Sequence, residues 1–249
     1  MQASAALLAL APGLALGSFL NVVAARLPRG SSIVRPGSAC LSCRTPIAWY
    51  DNLPLVSYLV LRGRCRACGA RIGLRYPAVE LATALLVAGC VLAFGVTLEA
   101  LIGACFCATL VAVSATDLEH RIIPDRIVLP AAGGILAART LLEPSPEWAL
   151  AALGCSLFLF LAVLAYPAGM GMGDVKLALL LGAALGRAGP VALAVGMLAA
   201  LLPAVYLLAR HGSAGRKIAI PFGPFLALGG VVALFAGDRL LDLYLETWS

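Results

Sequence analysis

Outside residues 27–76, nearly every stretch of this chain is a run of apolar residues broken only by short polar connections. A helix needs about 20 such residues to cross the hydrocarbon core of a bilayer, and several of these runs reach that length. Hydrophobic residues make up 62% of the 249 and charged residues 12%. A soluble domain averages about half apolar and about a quarter charged, so this composition would leave a water-facing surface uncovered. Lipid is the solvent for most of the chain, and the fold class follows: an all-α polytopic membrane protein.

The apolar blocks predict about eight transmembrane helices, near 3–23, 78–96, 100–116, 127–142, 148–168, 174–186, 190–209 and 222–237. The first, second, fifth and seventh are clear by length. The 127–142 and 174–186 blocks are short and contain charge and glycine, which predicts tilted or broken helices. Pro77 stands where a helix tolerates it best, in the first turn.

Charge sets the orientation. Residues 26–75 carry nine arginines against a single acid, Asp51. Basic loops stay on the cytoplasmic side, so the N-terminus is expected outside. Threading eight spans from there puts Arg121, Arg126, Lys176, Arg210, Arg216 and Lys217 inside and only Arg139, Arg187 and Arg239 outside. The formal net charge of +6 then serves topology and contact with anionic lipid. Nucleic acid is not an expected partner, because the basic loop lacks aromatic interleaving. The first block has no basic stretch before it and arginines after it, so it reads as a retained anchor. Three regions result: 1–26, a first transmembrane helix; 27–76, a polar cytoplasmic loop domain; and 77–249, a transmembrane region.

The loop contains Cys40-Leu-Ser-Cys43 and Cys65-Arg-Ala-Cys68, twenty-one residues apart. Two CxxC knuckles at this distance can bring four thiolates around one zinc ion, and a cytosolic position keeps thiols reduced. Gly69 follows the second pair, where a tight turn needs it. Cys40, Cys43, Cys65 and Cys68 are therefore predicted to bind a structural zinc that staples a loop with little core of its own. Paired disulfides or free thiols are the alternatives. Cys90, Cys105, Cys107 and Cys155 lie in apolar spans and read as small hydrophobes.

Carboxylates at the membrane edge are costly to bury and mark functional positions. Asp117 ends the run Leu101–Thr116, and Asp174 sits in Gly171-Met-Gly173-Asp174-Val-Lys176. The threading places both at the cytoplasmic face. Two aspartates brought together can share one proton, and such a pair can activate water while polarising a peptide carbonyl. Gly171 and Gly173 would let backbone approach an extended substrate. The competing reading has the two aspartates capping helices, or pairing with Arg121 and Lys176. Asp125 is predicted to be a helix N-cap. Glu119 and His120 are expected in a solvated loop, and Glu80 should face a polar partner inside the bundle. A transporter using these carboxylates as ion ligands is the rival from another class. A zinc hydrolase is disfavoured, since four cysteines leave no open coordination position.

These motifs together resemble the bacterial type IV prepilin peptidases, of the GxGD class of intramembrane aspartyl proteases. The resemblance rests on Gly17-Ser-Phe-Leu-Asn21-Val with Arg26-Leu-Pro28, the two CxxC pairs, and Trp49-Tyr-Asp-Asn-Leu-Pro54 through Tyr58. It continues through Arg62-Gly-Arg-Cys65, Arg75-Tyr-Pro77 with Glu80, Asp117 through Asp125, Gly171 through Lys176, and Pro221-Phe-Gly-Pro-Phe225. It implies cleavage of the basic leader of prepilins or pseudopilins at the cytoplasmic face of the bacterial inner membrane. N-methylation of the new terminus by S-adenosylmethionine would follow, unless only the protease is retained. By matching position, Asp117 and Asp174 would be the catalytic pair, supported by Gly171, Gly173 and Lys176, and the four loop cysteines the zinc set. Asp51, Glu119 or Asp125 would be suited to contact a basic leader. Phe222 and Phe225 read as packing at a helix entry.

Overall fold

The computed structural model describes residues 2–167, 169–212, 218 and 220–247. Arg216 and Lys217, expected on the inner side, lie outside these residues. The described chain is helical: α1 (Gln2–Arg26), α2 (Val56–Val60), α3 (Arg75–Phe94), α4 (Leu98–His120), α5 (Asp125–Leu142), α6 (Glu147–Ala165), α7 (Met172–Leu185), α8 (Gly189–His211) and α9 (Gly223–Glu246). Isolated bridges, Ala39 with Pro46 and Arg64 with Arg71, are the β pairings among the described residues.

Among the described residues, six stretches are long and apolar enough to cross a membrane: Gln2–Arg29, Arg75–Phe94, Leu98–His120, Glu147–Ala165, Met172–His211 and Gly223–Glu246. The difference from the expected eight lies in α5, α7 and α8. Helix α5 carries Asp125, Arg126 and Arg139 and is the least apolar of the long helices. Helix α7 has 14 residues, about 21 Å at the rise of an α-helix. That is short of the roughly 30 Å hydrocarbon core, and a single 3₁₀ turn, Gly186–Ala188, joins it to α8.

The chain divides into two compact units, Met1–Ala115 and Thr116–Ser249. In the first, α1 packs along α3. A Cβ on Gly17 would stand 2.6 Å from Glu80 Cα, and one on Gly13 would stand 2.7 Å from Ala84 Cα. These two glycines, four apart on one helix face, let the backbones approach as small-residue interfaces do in lipid. In the second unit α7 is the hub, touching α5, α6, α8 and α9. It is apolar on every side and almost entirely buried, the pattern of a central helix. At the end of α7, Arg187 Nε donates to Asp238 Oδ1 of α9 at 2.8 Å, which accounts for part of the tail that carries no motif.

Candidate active site and metal centre

Asp117 and Asp174 both belong to the unit Thr116–Ser249, and both are buried, 6% and 7% exposed. Helix α4 continues one turn beyond the apolar run, so Asp117 is a helical residue, and Glu119 and His120 are too. The expected loop there is corrected to helix: Glu119 is exposed, as expected, but the His120 side chain is largely covered, its Nε2 3.6 Å from Glu119 Oε2. Asp174 is the third residue of α7.

Each carboxylate is held by a backbone N–H at a helix start. Gly223, the first residue of α9, donates to Asp117 Oδ2 at 2.9 Å. Gly171 donates to Asp174 Oδ2 at 3.1 Å. Helix N-termini present unpaired N–H groups and a positive dipole end to an anion. The Arg121 guanidinium acts on Asp117 through space, and Asp117 and Asp174 are close enough to act on one another. The sequence brought Asp117 to notice but not its partner. Pro224 in the first turn of α9 was the available signal, because it fixes where the helix, and hence its free N–H at Gly223, begins.

The alternative roles for the pair separate. Lys176 bonds Asp125 Oδ2 at 2.6 Å, not Asp174. Asp125 is the first helical residue of α5, Pro124 stands at the N-cap, and no side chain caps that end; the predicted N-cap is corrected to an ion pair with Lys176. Asp174 does take the capping bond from Gly171. The space beside Gly173 is filled by the chain itself, since a Cβ there would come within 2.8 Å of Ile123 Cβ. This glycine serves internal packing. Gly171 serves through its N–H. Phe222 is the N-cap of α9, in keeping with packing at the helix entry.

All three acids expected to contact a basic leader are already engaged, Glu119 beside His120 as above. Asp125 pairs with Lys176, and Asp51 accepts two bonds from Arg66, at 2.6 and 2.7 Å. The Arg66 guanidinium holds the Asp51 carboxyl below its usual range and also lies over the Tyr50 ring.

In the unit Met1–Ala115, the Sγ atoms of Cys40, Cys43, Cys65 and Cys68 all lie within 4.8 Å of one another. Two of the separations are 3.8 Å (Cys40 to Cys68) and 4.0 Å (Cys43 to Cys65). A tetrahedron with Zn–S bonds of about 2.3 Å has edges of about 3.8 Å, so the group can hold a tetrahedral metal ion. All four are free thiols. The two knuckles share a backbone plan: Arg44 N–H returns to Cys40 O at 2.9 Å and Gly69 N–H to Cys65 O at 2.9 Å. The residue after each pair has positive φ, 57° at Arg44 and 71° at Gly69. Within the cluster the thiols differ: hydrogen bonding with the Thr45 hydroxyl and backbone brings Cys43 down to about 6, favouring a thiolate, while the neighbouring thiols push Cys68 up to about 11.

Glu80, expected to find a polar partner, accepts from Leu55 N–H at 2.9 Å and contacts the Ser18 hydroxyl. Asn21 Nδ2 donates to Tyr76 O at 3.0 Å.

Two family models match the chain: the bacterial peptidase A24 N-terminal domain over residues 12–94 and the type IV leader peptidase family over residues 104–209. Among similar curated proteins, the prepilin leader peptidase/N-methyltransferase of Bacillus subtilis (strain 168) is 37% identical, covering 94% of this chain and 95% of its own length. The protein of the same name from Pseudomonas aeruginosa is 38% identical over 94% of this chain and 91% of its own. That of Myxococcus xanthus is 48% identical over 53% of this chain and 38% of its own. No solved structure matches. With its apolar helices, its two matched regions and relatives alike over almost their whole length, the chain belongs to the type IV leader peptidase family, a bacterial family of multi-pass membrane proteins.

Proposed function

We propose that this chain removes the basic leader of prepilins or pseudopilins and then N-methylates the new terminus, with Asp117 and Asp174 as the peptidase pair. The observation that carries the proposal is the burial of both carboxylates in one unit, each fixed by a backbone N–H and within electrostatic reach of the other. Like charges in a poorly solvated site cannot both ionise readily, so the pair shares a proton. The ionised carboxylate takes a proton from water, whose oxygen attacks the scissile carbonyl carbon. The protonated one donates to the carbonyl oxygen. Proton return to the amide nitrogen then breaks the C–N bond. Gly223 and Gly171 each fix one oxygen per carboxylate, leaving the other for water or substrate. Lys176, tied to Asp125, holds the first turn of α7 against the start of α5.

The four loop cysteines hold a structural zinc, within a loop domain 27–76 between the first helix, 1–26, and the region 77–249. S-adenosylmethionine supplies the methyl group: the new terminal amine takes the methyl carbon, the sulfur keeps the bonding pair, and a proton leaves the nitrogen. The helices cross the bacterial inner membrane eight times, N-terminus outside, with α5 and α7 crossing inside the bundle and the aspartates at the cytoplasmic face. The arginine distribution supports that orientation.

The test is incubation of the purified protein with a prepilin and isotopically labelled S-adenosylmethionine, followed by mass spectrometry. A shortened pilin carrying one labelled methyl is the expected product. A shortened, unmethylated pilin removes the transferase half; intact prepilin removes the proposal.

A further inference from the structure

The short helix α2 is turned inside out for a segment in water. Its small polar residue, Ser57, faces the protein and is 9% exposed, with Oγ donating to Leu53 O at 2.8 Å and Tyr50 O at 3.1 Å. Val56, Leu59 and Val60, which share one face of the helix, are 55%, 74% and 68% exposed. Just before them, Trp49 and Leu53 are exposed as well. We propose that this face lies in the headgroup–acyl boundary of an anionic bilayer, so that α2 anchors the segment between α1 and α3 flat against the membrane.

The level of α2 points to lipid. Glu80 Oε2 of α3 accepts the Leu55 N–H at 2.9 Å, which pins the start of α2 to α3. Glu80 follows Arg75, the first residue of α3, by five positions, about 7.5 Å along the axis. Its side chain leans back toward the start of that helix. Helix α2 is therefore level with the first turns of α3, which is long and apolar enough to cross a membrane. Leu81, the residue after Glu80, is itself exposed, so α3 offers lipid an apolar side chain at the same level. Leu55 has a φ of 58°, a conformation that persists where its surroundings impose it. The Glu80 bond is such a constraint, and it gives α2 a fixed outward face.

The surrounding charge selects an anionic surface. Arg62 and Arg64, directly after α2, are exposed. Residues 26–75 hold nine arginines and one acid, and that acid, Asp51, is already taken by Arg66. Phospholipid phosphates are the complement. Tryptophan is enriched at membrane–water interfaces, and Trp49 stands on the apolar side. Buried apolar area and cationic attraction together set the strength of interfacial binding. A face tethered at both ends to apolar helices meets the bilayer before any soluble partner.

The test uses the wild-type chain in anionic nanodiscs, labelled in turn by two carbene reagents. One is a phospholipid activated near the top of its acyl chain; the other is small and water-soluble. Peptide mapping should find the lipid reagent on residues 49–60 and little of the aqueous one there. The reverse pattern overturns the proposal, and so does labelling by neither, which would mean that protein covers the face. Arg62→Gln tests the charge. Proteinase K cleavage within residues 49–60 tracks the open population of the segment. Relative to wild type, it should rise about fivefold more in anionic than in zwitterionic nanodiscs; an equal rise in both overturns the anionic contact.

Discussion

Gly223 N–H donates to Asp117 Oδ2 across 106 residues of sequence, at 2.9 Å and out of contact with solvent. The bond places the start of α9 against a carboxylate near the end of α4. It also explains why residue 223 has no side chain, since a Cβ there would stand 2.8 Å from the same oxygen.

Gly223→Val should therefore displace the Asp117 carboxylate. A misplacement of about 1 Å in a reacting group can cost on the order of a hundredfold in rate. Leader cleavage is expected to fall by about that factor while the chain stays folded in detergent. Wild-type kcat/KM in this variant would show that the bond plays no part in positioning.

Gly17→Leu addresses the α1–α3 interface. The added side chain would meet the α3 backbone at Glu80 Cα, and overpacking of this kind costs about 1–3 kcal/mol. A lowered thermal midpoint is the expected outcome, and an unchanged midpoint would mean that the helices pack in another way.

The cysteine cluster should bind one zinc ion per chain, read by elemental analysis of the purified protein. Cys65→Ser should lose it, and the loop 27–76 should become sensitive to protease, because binding energy at a structural site is folding energy. Full zinc content in that variant would exclude the four-thiolate site.

Acid should act on the loop through Asp51. Its carboxyl is held below the usual range by Arg66, so the pairing is fully present above the unfolded value and is lost as pH falls through the lowered one. Arg66→Met should accordingly differ from wild type in loop protease resistance most at neutral pH. That difference should vanish as pH drops below the lowered value. A difference that grew toward acid would contradict the pairing.

Much of this was legible in the residues because lipid imposes length and charge rules on any helix it surrounds. The boundaries of α1, α3, α6 and α8 lie within a few residues of their apolar blocks. The knuckle spacing anticipated four thiols in one cluster, and the two aspartates were located by their cost beside a span. What escaped depended on long-range placement. That Gly173 also makes room for Ile123, from another helix connection, is not visible in the local pattern. Asp125 looked like a cap because Pro124 precedes it, while Lys176, 51 residues away, is its partner. The role of Gly223 could not be read from local pattern, as its N–H acts on another helix.

The most direct measurement is the rate of prepilin cleavage by Asp117→Asn and Asp174→Asn, each purified and shown to be folded. Acid–base groups contribute about a hundred- to ten-thousandfold, and members of one catalytic unit are not additive. Each single variant is expected to lose activity on that scale, with the double variant no slower than the worse single one. Cleavage at the wild-type rate by either single variant would contradict the assignment of the pair.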